Sequence, residues 1–195
     1  MHAVFALLPE LAIPTTFVRV HTQTVTHNGL PACLERWQDT EVLRYGGPHI
    51  TTVTGLDDNV LYGFTAQLPA DNAAKLPDKQ QAEDIARRFF EDVDPLYAQG
   101  LSLQWVDRHD ETVTDAAGNE LIVPGIKVKM RHTSGLYAWG IVGAGSRIVT
   151  YERDVSWNTE HAHRNTAMWL HDRWIVALQH GGPALPPPAA GLDAC

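Results

Sequence analysis

A chain of 195 residues, 44% hydrophobic and 19% charged, has enough apolar material for one self-sufficient core and lies far from the composition of disorder. Its 23 Asp and Glu against 15 Lys and Arg give a formal charge of −8, a field that repels phosphate and argues against nucleic acid and anionic membranes as partners. Two cysteines, Cys33 and Cys195, exclude a disulfide framework, no apolar run approaches the ~20 residues of a membrane helix, and a cytoplasmic location is the default expectation.

The opening MHAVFALLPELAIPTTF is apolar but lacks a basic n-region, and Pro9, Glu10 and Pro14 interrupt it; it is read as part of the fold and not as a signal peptide. Residues 15–67 are dense in Thr, Val and aromatics. The turn signals Asn28-Gly29, Gly46-Gly47-Pro48 and Asp57-Asp58-Asn59 divide them, which predicts strands near 16–26, 41–45, 49–54 and 60–67. After a polar connection at 69–77, Asp78 is placed to cap a helix, with Gln81 at the capping-box position. Ala82, Ile85, Ala86, Phe89, Phe90 and Val93 then recur on a 3.6-residue period as one apolar stripe, ended by Pro95 and Gly100.

Alternation takes over downstream. Leu101, Leu103 and Trp105 alternate with Ser102 and Gln104, and Ile126, Val128 and Met130 with Lys127, Lys129 and Arg131, so each strand is expected to have one buried and one wet face. Turns at 132–135 and 143–145 lead into strands at 136–142 and 147–157. In the last, Val149, Tyr151, Arg153, Val155 and Trp157 share one face and Thr150, Glu152, Asp154 and Ser156 the other. Short sequential turns indicate an antiparallel meander. The helix opening Ala82-Glu83-Asp84-Ile85-Ala86, with hairpins that turn at Gly135 and Gly143, resembles the helix-plus-meander PepSY type of module over a minor part of the chain, and no function is drawn from it.

The run NTEHAHRNTAMWLHDRW, 158–174, concentrates three histidines. It is expected to be a helix capped by Asn158 or Thr159 and running to about Leu178, with Gly181 as its stop. At about 100° per residue, His163 then lies roughly 200° from His161, too far round to share a metal, and no metal site is expected. His163 falls on the apolar face with Ala167, Leu170 and Trp174, and His171 on its border. The remainder, 182–195, is Pro-rich and is read as a flexible tail behind a single domain at 1–181. The fold class expected is α+β: a mostly antiparallel sheet in two strand-rich halves, one central amphipathic helix, and a C-terminal helix packed on the sheet.

Motifs mostly exclude. GIVGAGSRIV, 140–149, has a pair of glycines followed by a strand, and Ile148 stands where a dinucleotide loop needs its third glycine; neither a P-loop nor a G-x-S-x-G elbow occurs, and no cofactor is expected. What remains is titratable density beside aromatics. His163 and His171 are the candidate acid–base histidines, with Asp154 and Asp172 as carboxylate partners and Glu152 as a neighbour. Tyr151, Arg153, Trp157, Trp169 and Trp174 are the candidate ligand-binding residues. Two functions are therefore expected: a soluble module that binds a small molecule or a protein partner without catalysis, or a cofactor-independent enzyme that works through a His/Asp pair on a small molecule.

Overall fold

Asn28 and Gly29 both take positive φ, 52° and 81°, the backbone of a two-residue hairpin turn whose twist matches the strands it joins. The turn links β1 (Val18–His27) to β2 (Leu30–Gln38) in the computed structural model, which describes residues 11–69 and 75–194. Expectations for residues 1–10, 70–74 and Cys195 fall outside the described residues. β3 (His49–Gly55) and β4 (Leu61–Gln67) continue the meander, and β5 (Leu101–Arg108), β8 (Gly125–His132), β9 (Tyr137–Gly143) and β10 (Ile148–Val155) complete one antiparallel sheet of order β1-β2-β3-β4-β10-β9-β8-β5. A separate hairpin, β6 (Glu111–Thr114) with β7 (Glu120–Val123), stands off β5.

One strand lies where the sequence suggested otherwise. Residues 41–45 are irregular, and the second strand is β2. LPACLERWQ carries Pro31 and an adjacent acid and base, so it lacks strand-like alternation. Within the sheet those charges are met: Arg19 donates to Glu35 at 2.6 Å, and Arg36 donates twice to Asp172 at 2.5 and 2.7 Å.

The helix α1 (Lys79–Val93) has the expected capping box, in which the Gln81 backbone N–H donates to Asp78 Oδ1 at 2.8 Å and the Asp78 N–H to Gln81 Oε1 at 3.1 Å. A short α2 (Pro95–Gln99) follows, capped by Asp94. The stripe of α1 covers one sheet face: Ala82, Ala86, Phe89 and Phe90 pack with Phe64, Val128, Met130, Val142 and Tyr151 in the main core. Gly140 sets the approach distance, because a Cβ there would lie 3.2 Å from that of Ala86. Burying each large side chain of this layer contributes about 1.5–3 kcal/mol.

The opposite face is covered by the C-terminal third, and here the expected long helix is corrected. Trp157–Asn158 (β11) pairs with His163–Arg164 (β12), residues 165–171 are irregular, and only α3 (Asp172–Gln179) is helical. Two side chains explain this. Asn158 Oδ1 accepts from the backbone of Glu160 and His161 at 3.0 and 3.1 Å, as a helix cap would, but Ala162 then takes φ 51° and turns the chain back as a hairpin. Arg164 is buried and donates to the carbonyls of Thr166 and Ala167 at 2.8 and 3.0 Å, oxygens a helix would need for itself. His161 and His163 are consequently neighbours, with ring centroids 6.0 Å apart. Gly181, at φ 62°, follows α3 as expected of a stop.

Beyond Gly181 the segment read as a free tail makes specific contacts. Trp174 Nε1 donates to the Ala190 carbonyl at 3.0 Å, the Arg164 N–H to that of Pro188 at 3.1 Å, and Ala190 is fully buried. The architecture is α+β with a mostly antiparallel sheet, and none of the helices in the described residues is long and apolar enough to cross a membrane.

Candidate functional site

Alternation decides what the second sheet face displays. With Ile126, Val128 and Met130 of β8, Ala138 and Val142 of β9 and Tyr151 of β10 packed beneath α1, the opposite face presents Lys127, Trp139, Ile141, Thr150 and Glu152. The β6–β7 hairpin brings Glu111, with His109 just before it, over this floor. β12 adds Arg164, the connection into α3 adds Met168, His171 and Arg173, and residues 185–189 close the side as a proline-rich strap. The cavity, open on one side to solvent, measures about 460 Å³. A second cavity, of about 260 Å³, adjoins it through Glu111, Met168, His171, Arg173 and Leu185 and reaches Gly46, His49, Gln67 and Asp172.

The charges inside are partnered unequally. Glu152, 3% exposed, accepts from Arg164 at 2.6 Å and lies 3.3 Å from His171 Nε2. Burial pushes its carboxyl pKa up, but Arg164 and His171 outweigh that and hold it well below the usual carboxylate range. Glu111 accepts from Gln67 at 2.7 Å, and Gln67 in turn donates to Thr65, whose hydroxyl meets that of Thr150 at 2.9 Å. A polar chain therefore crosses the floor from β10 to the hairpin. Burial raises the Glu111 pKa too, and His109 and His171 bring it below the normal value.

Lys127 differs. Its Nζ sits 4.1 Å from the centroid of the Trp139 ring, and among the described residues it has neither a hydrogen-bond acceptor nor an ion pair. Burial pushes its pKa down to about 8 against the opposing pull of Glu152 and Glu111. Arg173 lines both cavities and is exposed, and it too has neither kind of partner among the described residues.

Comparison with protein-family models, with curated proteins and with solved structures gives no match. The site therefore rests on its own geometry.

Of the residues singled out from sequence, His171 and Trp157 line the larger cavity and Asp172 the smaller. Asp172 is engaged by both terminal nitrogens of Arg36 and by the Gly46 N–H at 2.6 Å, so it ties α3 to β2. His163 lines neither cavity, and its Nδ1 meets the Arg164 carbonyl at 2.9 Å. Asp154 and Arg153 lie at the α2 end, where Arg153 bridges Asp94 and Asp154 over the Tyr97 ring. Tyr151 is buried under α1 against Phe89 and Phe90. Trp169 and Trp174 meet edge to face at 5.1 Å, with their N–H groups on the carbonyls of Thr26 and Ala190, and serve the core. Among the described residues, no three His, Cys, Asp or Glu side chains gather in a geometry that would hold a metal.

Sequence reasoning missed Lys127, Glu111 and the strap. The alternation that buried Ile126, Val128 and Met130 assigned Lys127 to solvent. The clue available was the matching alternation of Trp139 on the neighbouring strand, which places a large aromatic beside that lysine.

Proposed function

We propose that the chain binds a small organic molecule with an apolar body and an anionic group in the larger cavity. The observation that supports this reading is the pair Lys127 and Arg173, whose N–H donors border a largely apolar cavity without an acceptor among the described residues. Buried polar groups are normally satisfied, so the Lys127 ammonium left open at the cavity calls for an acceptor from outside, and the exposed Arg173 adds a second cation at the cavity wall. Trp139, Ile141, Met168 and Leu185 supply apolar walls, and a volume of about 460 Å³ suits a metabolite-sized molecule. A thermal-shift series of aryl and alkyl carboxylic acids against their amides tests the reading. A ligand at a hundred times its Kd stabilises by about 2.7 kcal/mol, which raises Tm by roughly 5–10 °C in a domain of this size. The acids are expected to do this and the amides not, with the preference lost in the double substitution Lys127→Met and Arg173→Met. Equal shifts for acids and amides would count against it.

Acid–base chemistry on the same ligand is a second reading, favoured by one observation: His171 borders the cavity while the ionised, buried Glu152 holds its ring nitrogen. Its carboxylate partner is then Glu152, not Asp154 or Asp172. In D2O, exchange of carbon-bound hydrogens in a bound acid, followed by NMR, is expected to slow by about a hundredfold or more in His171→Gln while the thermal shift persists. Undiminished exchange would remove His171 from this role.

A further inference from the structure

We infer that Lys127 is an amine nucleophile, and that the small molecule bound in the larger cavity is a carbonyl compound, an oxo acid or its aldehyde counterpart, which condenses with it. The inference rests on the ligand site proposed above. Its first support is position. The Lys127 side chain reaches the cavity along the Trp139 face, so an aromatic surface orients Nζ without occupying its lone pair. By contrast, Arg164 and Arg36, on the same side of the sheet, are each held by a carboxylate at 2.6 and 2.5 Å.

The second support is the balance of charge around it. Glu111 from the hairpin and Glu152 from β10 favour the ammonium; Arg164 from β12 and Lys129 on its own strand oppose it; His109, His171 and Arg173 complete the titratable and charged lining. Burial decides the outcome, and at about pH 8 the two protonation states coexist. An ordinary lysine there is below about 1% unprotonated. A lysine whose task is only to neutralise a carboxylate gains nothing from a site that favours loss of its charge, whereas a lysine that must attack a carbonyl carbon does.

The chemistry balances without an outside oxidant or reductant. The amine lone pair adds to the carbonyl carbon, forming a C–N bond while a proton passes from nitrogen to the former carbonyl oxygen. The carbinolamine then loses that oxygen as water, with a second proton leaving nitrogen, to give the C=N bond; hydrolysis reverses both steps. Arg173, also open to the cavity, is available to the carboxylate of an oxo acid.

The test treats the full chain with phenylpyruvate or 3-phenylpropanal and cyanoborohydride, and locates the reduced adducts by peptide mapping. The chain has four lysines, so Lys75, Lys79 and Lys129 serve as internal references. Lys127 is expected to be labelled about tenfold faster than the others, with a rate that rises through pH 8, and Lys127→Arg to lose the adduct while keeping a positive charge. Labelling of Lys127 no faster than the reference lysines in the native protein overturns the inference, whether or not the variant folds. A parallel thermal shift with 3-phenylpropionate, which lacks the carbonyl, separates the two ideas. If it stabilises the protein while Lys127 is not trapped, the imine fails and the binding site stands; if neither acid stabilises and nothing is trapped, both fail.

Discussion

Glu152→Ala is expected to lower the melting temperature by roughly 6–20 °C, corresponding to about 3–5 kcal/mol at 2–4 °C per kcal/mol. The cost comes from what is left behind. Arg164 is 4% exposed, and its guanidinium is also committed to the carbonyls of Thr166 and Ala167 and lies 5.5 Å over Trp139, so it cannot swing into water to recover hydration. Removing the carboxylate strands a buried positive charge, and it also releases the contact that holds His171. Glu152→Gln keeps an acceptor for Arg164 and should cost less. Combining Glu152→Leu with Arg164→Met removes both charges and should recover much of the loss, since a buried pair adds little over apolar residues of the same volume. Circular-dichroism melts of the set decide the matter: a melting point for Glu152→Ala within 2 °C of wild type would mean that the Arg164–Glu152 pair does not organise this face as the geometry indicates.

Local signals were legible and distant partners were not. The capping box of Asp78 and Gln81, the apolar stripe behind it and the Asn28-Gly29 turn each depend on residues within a few positions of one another, and each is found where the sequence placed it. β2 was missed because its charges are answered from afar: Arg36 pairs with Asp172, 136 positions on. The helix expected over the histidine run failed for the same reason. Its residues have helical propensity, but Arg164 is drawn to Glu152 on β10 and takes the local carbonyls with it. The candidate site follows this pattern. His171 and Trp157 were identifiable by density of functional side chains, whereas Lys127 looked solvent-facing until the hairpin and the strap, two segments remote in sequence, covered its face.

Acidification should destabilise the protein well before its carboxylates titrate, because two histidines are buried in the neutral form. His27 is 5% exposed and stacks on Tyr62 at 4.3 Å; His49 is 3% exposed with Nδ1 on the Gly47 carbonyl; the Nε2 of each has no partner among the described residues. Burial lowers both pKa values from 6.5 to about 4. Between those values the unfolded chain binds protons that the folded chain refuses. Stability is therefore full above about pH 6.5 and falls as pH drops toward 4, by roughly 3 kcal/mol for each histidine at 1.36 kcal/mol per unit. Glu152 and Asp172, whose folded pKa values are lowered, act in the same direction but only at lower pH, since their contribution persists above the carboxylate range. Urea unfolding from pH 7.5 to 4.5 should accordingly show a steep loss. His27→Phe, which keeps an aromatic ring against Tyr62 and cannot titrate, should remove about half of that slope. If stability proves flat across this interval, or if His27→Phe leaves the slope intact, the histidines are not held neutral and their ring nitrogens must find partners that offset burial.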